Sequence, residues 1–303
     1  MNPSQSGAYE RLVAAAAGLK VPDAVREVAV APPRDPEPGQ IWRAVWEHAI
    51  QLLVITAVDD DTVHAVPVSL ERYADAHTLL LPAEASTLEQ PLALWCGLKQ
   101  SLPWYVLDRQ VSQLTMPLPA SLHPDLPHTT PLGARWGSNA PSPTAADAEY
   151  RGALADTLAR LSAARWVPEG SGALPQLLGQ RGVTAQQLGS QLQLPPAQAL
   201  PVWRGQCPLT ADQAEKLALL LGLHADEVLA ANPSLPPAVV HELNRPLRRK
   251  QVRALAVRHL ESEHQARLRA AYGIFTLAAR QHDRTNTDWA ARADRYFELR
   301  LGP

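Results

Sequence analysis

The sequence has 303 residues, 46% of them hydrophobic, and a formal net charge of −2. This length exceeds what one hydrophobic core usually serves, so we expect two or three domains. The two cysteines give neither a disulfide framework nor the spacing of a metal site. No apolar stretch approaches the ~20 residues of a membrane span, and the first residues lack the pattern of a secretory leader. We therefore expect a cytoplasmic protein with no membrane contact, metal or cofactor.

The first 115 residues predict a tethered β domain. Helical spacing with high alanine content predicts a short helix over residues 9–19, and the prolines that follow predict a stiff tether, so 1–38 form one region. Short strands separated by turn residues then indicate a small barrel over 39–115. Its predicted strands include 41–46, 49–58, 62–69, 78–81 and 104–108, with a hairpin turn at 59–61.

Helices dominate the remaining two thirds of the prediction. Residues 116–144 have the proline-rich, polar composition of a linker, and 145–168 form a connecting helix. An all-α domain is expected over 173–232. A basic helical region then covers 238–303, with one long helix over 246–281 and a final one over 288–301. The predicted fold class is therefore a multi-domain α+β chain, in which a small β-barrel precedes an all-α domain and C-terminal helices.

Residues 173–232 carry the start and stop signals of five short helices. A capping box, in which Thr184 stands three residues before Gln187, predicts the start of the second helix. Proline is favoured in the first turn of a helix, and glycine just after its end. The further signals are Pro196 and Gly205 around the third helix, Thr210 and Gly222 around the fourth, and the run 226–230 for the fifth.

This helix order, with the string VWRGQCPLTADQAEKLALLLGLHADEVLA over 202–230, resembles the XRE (phage-repressor) family of helix-turn-helix domains. The resemblance implies that the third helix lies in the major groove of double-stranded DNA and contacts base edges. By position, it implies DNA contacts for Gln186, Gln187, Gln198 and Arg204. Pro201 predicts a short or bent third helix, because an interior proline removes a hydrogen bond. An XRE-like unit used for packing or dimerisation is the alternative.

The basic end of the chain supplies a second candidate contact surface. Residues 241–303 hold 13 basic and 7 acidic residues, whereas 1–172 hold 12 basic and 19 acidic ones. Clustered cations neutralise phosphates and add salt-sensitive affinity. The predicted contacts are Arg245, Arg248, Arg249, Lys250 and Arg253. The alternative is that they solvate one helix face while the other packs inward through Val252, Leu255, His259, Leu260 and Tyr272.

The segments PGQIWRAVW (38–46), LLVITAV (52–58), AVPVS (65–69) and 96–114 resemble the MazF/PemK family. The resemblance implies an SH3-like barrel and, in most members, an endoribonuclease toxin. Ser69 matches the family's hydroxyl position. The catalytic loop, however, is reduced to 47–49, with only Arg43 and His48 nearby, so we assign no catalytic residue. Without activity, such a barrel still presents a surface for a protein partner.

These observations favour a DNA-binding transcriptional regulator of the XRE type, with a non-catalytic MazF-like barrel as an interaction or sensing module. A homodimer is expected, because paired reading helices usually contact DNA about one helical turn apart. The predicted long helix over 246–281 is a candidate interface. Two alternatives remain open: a MazF-like endoribonuclease toxin fused to its regulator, and a protein-binding scaffold without nucleic-acid activity.

Overall fold

The computed structural model describes residues 22–31, 33–71, 73–118, 124–125, 130–131, 133–137, 145–167, 172–280 and 288–302. These residues form a mixed α+β protein, which confirms the fold class at that level. They divide into two compact units. The strand unit comprises 1–59, 63–102 and 107–161, and the helical unit comprises 60–62, 103–106 and 162–303. The helix predicted over 9–19 lies outside the described residues.

An eight-stranded sheet forms the strand unit, in the order β7-β1-β2-β3-β5-β4-β8, with β6 paired to β3 beside this path. Successive strands along the path pair antiparallel. Their bounds are β1 Gln40–Trp46, β2 Ala49–Val58, β3 Thr62–Ser69, β4 Thr78–Leu81, β5 Leu92–Trp95, β6 Gln100–Pro103, β7 Leu107–Gln113 and β8 Arg135–Trp136.

The central strands are buried on both faces, since neighbouring residues such as Leu53 and Val54 of β2 are both fully buried. Ile41, Val54 and Leu94 belong to one buried cluster. The strand path itself is open, with β7 and β8 at its two ends. An isolated bridge joins Ser86, which follows the 3-10 turn Ala83–Ala85 after β4, to Leu114, the residue after β7. The sheet therefore curves enough for segments from distant parts of the path to bond.

Several elements of the first 168 residues differ from the prediction. Helix α1 (Asp23–Val30) lies within the predicted tether, and β8 pairs with β4 from within the predicted linker. Residues Trp104–Val106 form a 3-10 turn rather than the start of a strand. The connecting helix α2 (Ala145–Ser162) ends before Trp166. Composition indicated proline-rich connections in these places, but it did not reveal the short elements that they contain.

Helices α3 to α7 of the helical unit follow the predicted order. They are α3 Leu174–Gln180, α4 Ala185–Leu192, α5 Pro196–Trp203, α6 Ala211–Leu221 and α7 Ala225–Ala230. Complete capping boxes begin α4, at Thr184 and Gln187, and α6, at Thr210 and Gln213. Gly222 ends α6 with a φ of +64°, a conformation that glycine adopts without strain. Local signals therefore set these helix boundaries.

Four helices complete the unit: α8 Pro237–Asn244, α9 Pro246–His259, α10 Glu263–Arg280 and α11 Trp289–Leu301. The predicted continuous helix over 246–281 is thus two helices, because Leu260 takes a left-handed conformation at φ +54°. Leu260 is 95% exposed, so the prediction that it packs inward is wrong, whereas Val252, Leu255 and Tyr272 are buried as expected. In the described part of the chain, no helix has both the length and the apolarity to cross a bilayer.

Candidate nucleic-acid interface

The candidate interface is the outer surface of α4 and α5, where the sequence places the reading residues. The two helices approach closely at Gly189. A Cβ there would lie 3.1 Å from the Ala199 Cβ and 3.1 Å from the Leu194 carbonyl oxygen. Trp203 donates its indole N–H to the Val183 carbonyl (2.8 Å), which ties the end of α5 to the start of α4. Both helices are therefore held in fixed positions.

All four residues predicted to contact DNA from α4 and α5 are exposed. Among the described interactions, three of these side chains have no structural role: Gln186, Gln198 and Arg204. Gln187 differs. Its side-chain oxygen accepts hydrogen bonds from the Thr184 backbone N–H (2.9 Å) and hydroxyl (3.1 Å), which completes the cap of α4. Gln187 is exposed, but its side-chain oxygen is already hydrogen-bonded within the capping box, so this residue mainly stabilises the start of α4.

The proline inside the third helix does not interrupt it. Helix α5 is eight residues long and contains Pro201, which confirms that it is short. The Ala199 N–H donates to the Pro195 carbonyl (3.0 Å), and the Arg204 N–H donates to the Leu200 carbonyl (3.0 Å). Because these bonds persist on either side of Pro201, the exposed face of the helix remains regular.

Two grooves flank the exposed face of α4, each of about 700 Å³. One is polar and includes Arg181, Gln187 and Gln191 in its lining. The other lies between α4 and α5 and is lined by more apolar groups, among them Leu194 and Leu200. Gln186 and Ser190 line both. The surface thus offers amides, a hydroxyl and aliphatic groups rather than a dense positive charge.

Carboxylates are absent from this part of the sequence. No Asp or Glu occurs between Glu169 and Asp212, while Arg181 and Arg204 lie within that interval. Arg204 is exposed, and Arg181 donates one hydrogen bond to the Leu221 carbonyl (2.9 Å) at the end of α6. Residues 170–211 therefore contribute no carboxylate that would repel a phosphate backbone.

The arginines of α9 do not form the exposed cluster that the sequence predicts. Arg248 is 3% and Arg249 2% exposed. Arg248 donates to Glu242 (2.7 Å) and also contacts Asp294, and Arg249 donates to the Val106 carbonyl (2.7 Å). Both guanidinium groups lie inside the helical unit and bind its own residues. We therefore withdraw these two residues from the predicted DNA-contact set.

The other predicted α9 residues are more accessible. Lys250 is exposed. The Arg253 side chain is 38% exposed and contacts Glu263 at 3.0 Å, and the Arg245 side chain is 29% exposed and contacts Glu242 at 3.4 Å. Their positive charge is partly compensated by these carboxylates. Lys250 therefore presents the most accessible charge among the five predicted residues.

Two arginines of α10 carry structural roles that the sequence analysis missed. Arg267 is fully buried, contacts Glu263 at 3.0 Å, and lies over the rings of Tyr105 and Trp166. Arg269 donates to Glu261 and Glu215 and contacts Asp212, which joins α10 to α6. The i,i+4 spacing of Glu263 and Arg267 was a usable signal. The partners of Arg269 on α6 are distant in sequence and left no such signal.

Glu263 is the carboxylate at which several of these arginines meet. Burial acts to raise its pKa, but the guanidinium groups of Arg249, Arg267 and Arg253 lower the pKa below its ordinary value. The carboxylate therefore stays ionised under neutral and mildly acidic conditions. This charge balances cations that would otherwise be costly to bury.

The strand unit holds the three residues that the MazF resemblance singles out: Ser69, Arg43 and His48. Ser69 is 5% exposed, and its hydroxyl accepts a hydrogen bond from the Trp95 indole (3.1 Å). Arg43 donates to Asp108 (2.7 Å), and His48 lies exposed in the turn between β1 and β2. The matched hydroxyl is thus covered and already bonded. Among the residues described, no group of three or more His, Cys, Asp or Glu side chains is placed to hold a metal ion.

Comparison of the chain with protein-family models, with curated proteins and with solved structures gives no match.

Proposed function

We propose that this chain is a DNA-binding transcriptional regulator, and that its helical unit binds duplex DNA through the outer surface of α4 and α5. The observation that carries the proposal is the exposure of Gln186, Gln198 and Arg204 on two rigidly joined helices within a stretch that lacks carboxylates. The strand unit serves as an interaction or sensing module, with no catalytic role in the proposal.

The residue types suit contact with base edges. Glutamine pairs with adenine through two hydrogen bonds, and arginine pairs with guanine or contacts phosphate. Helix α5 has eight residues, so it is about 12 Å long, comparable to the width of the major groove. The cap at Thr184 also leaves the positive end of α4 near the same surface, where a phosphate is favoured.

Helix α9 contributes less under this proposal. Lys250, Arg245 and Arg253 remain candidate phosphate contacts, whereas Arg248 and Arg249 stabilise the helical unit. Phosphate contacts position a protein on DNA but carry no sequence information. We also expect a homodimer, since paired reading helices contact half-sites about 34 Å apart.

The test is a binding titration with DNA selected by the full chain from a random 30-base-pair library. Wild-type protein should bind the selected duplex more tightly than a scrambled one, and its affinity should fall steeply with salt. The double substitution Gln198→Ala with Arg204→Ala should weaken binding by about 10-fold or more. The control is Arg295→Ala on α11, whose side chain is 68% exposed.

Equal affinity for selected and scrambled duplexes would overturn the proposed regulator. So would a double variant that binds like the Arg295→Ala control. An RNA-cleavage assay on the same preparations tests the endoribonuclease alternative. Cleavage at defined sites that disappears in Ser69→Ala would favour that alternative instead.

A further inference from the structure

Helix α5 presents an outward stripe that is largely aliphatic. Ala197 and Leu200 stand at positions i and i+3 of α5 and share one helix face, and Arg204 follows directly as the C-cap residue of the helix. Leu200 is 39% exposed, and Ala197 and Arg204 are exposed as well. Gln198 lies exposed on the flank of the same stripe. Arg204 provides the only charge of α5 and its caps, at the C-terminal end.

The aliphatic stripe continues into the groove between α4 and α5. That groove, of about 700 Å³, includes Leu194, Pro196, Ala199 and Leu200 in its lining. Gly189 lines the same groove, where its lack of a side chain lets α4 approach Ala199 of α5 closely. This aliphatic lining suits small apolar groups of a partner.

We infer that α5 recognises A·T base pairs by packing Leu200 and Ala197 against the C5-methyl groups of thymine. This inference rests on the proposed function. Thymine is the base that carries a methyl group in the major groove, and apolar side chains contact it there. Gln198 then donates to and accepts from an adjacent adenine, and Arg204 contacts a guanine or phosphate at the end of the stripe.

Charge supports DNA as the occupant of this surface. An aliphatic stripe alone also suits a protein partner. However, the stripe lies within the stretch from Glu169 to Asp212, which has no intervening carboxylate and includes Arg204 and Arg181. This segment contributes no carboxylate that would repel a polyanion, and exposed Arg204 offers a cation to its phosphates.

The experiment compares two versions of the duplex selected by the full chain, one with thymine and one with deoxyuridine at every A·T pair of the bound site. Deoxyuridine lacks only the methyl group. Wild-type protein should bind the deoxyuridine duplex about fourfold more weakly for each methyl group that it buries. Leu200→Ala should reduce this ratio of affinities for the thymine and deoxyuridine duplexes, because it removes most of the side chain that contacts the methyl group.

Leu219→Ala is the matched control, since Leu219 is 84% exposed on α6 and outside the stripe. It should keep the full thymine-to-deoxyuridine ratio. Equal affinity of wild-type protein for the two duplexes would overturn this inference and leave the proposed function standing. A ratio that Leu200→Ala leaves unchanged would also overturn it. Failure of the wild-type chain to bind any selected duplex would overturn both.

Discussion

The helical unit places its arginines in two opposite ways. On the α4–α5 surface, Arg204 is exposed among amide and aliphatic side chains. In the region of α9 and α10, Arg248, Arg249 and Arg267 are 3%, 2% and 0% exposed. The region with the higher density of basic residues in the sequence thus uses much of that charge internally. The comparison teaches that charge density along a chain does not by itself locate a surface for phosphates.

Arg248→Ala should give the largest effect on stability. The substitution leaves Glu242, which is 7% exposed, without its closest cation, and breaking a buried pair costs about 3–5 kcal/mol of unfolding free energy. Lys250→Ala, two residues away and exposed, is the control and should change stability by about 0.5 kcal/mol or less. Urea denaturation of both variants measures this. Similar values for the two would remove the distinction between buried and exposed charge on α9.

Glu263→Gln tests, through the pH dependence of stability, whether the buried arginines of α9 and α10 rely on an ionised carboxylate. Arginine neighbours depress the pKa of Glu263, so its stabilisation is fully present above the ordinary carboxyl pKa and is lost as pH falls through the depressed value. The free energy of unfolding of the variant should be about 2 kcal/mol lower than that of the wild type at pH 7, because a charged hydrogen-bond acceptor is replaced by a neutral one.

Acidification separates this effect from a general loss of packing. Denaturation at pH 7 and pH 3 should show a smaller acid-induced loss in Glu263→Gln than in the wild type. If both proteins lose the same free energy on acidification, the ionised carboxylate does not support the α9–α10 region as we describe.

Thr184→Ala and Thr210→Ala should give the smallest of these stability changes, and only one of them should also weaken DNA binding. Each removes one capping box, at a cost of about 1 kcal/mol. The Thr184 substitution frays the start of α4, where Gln186 lies, so it should weaken DNA binding, whereas Thr210→Ala should not. Paired denaturation and binding titrations check this. Equal affinities for the two variants would separate the α4 cap from DNA binding.

Local signals carried the successful part of the sequence prediction. The capping boxes at Thr184 and Thr210 and the C-cap at Gly222 act within a few residues, so the bounds of α4 and α6 could be identified from sequence. The mixed α+β class followed from the change between strand and helix patterns. No glycine or proline marks the break at Leu260, but a local signal that the sequence analysis missed follows it: Ser262 and Gln265 have capping-box spacing, and the Gln265 N–H donates to the Ser262 hydroxyl (3.2 Å) at the start of α10.

The candidate site was only partly predictable, for a different physical reason. Exposure of Gln186, Gln198 and Arg204 follows from helix periodicity, which the sequence shows. Burial of Arg248 and Arg249 depends on partners that approach from other segments, such as Asp294 and the Val106 carbonyl. Such long-range pairing has no signature in the local pattern of α9, where an arginine cluster resembles a solvated face.

The most direct test of the account is charge reversal in the two regions, measured as the dissociation constant of the selected duplex at one fixed salt concentration. Arg204→Glu places a carboxylate on the α4–α5 surface, and Lys250→Glu places one on the exposed side of α9. The account predicts that Arg204→Glu weakens binding at least about 10-fold, or ~1.4 kcal/mol, and that Lys250→Glu has the smaller effect. Loss of binding in Lys250→Glu, with Arg204→Glu still binding like the wild type, would contradict it.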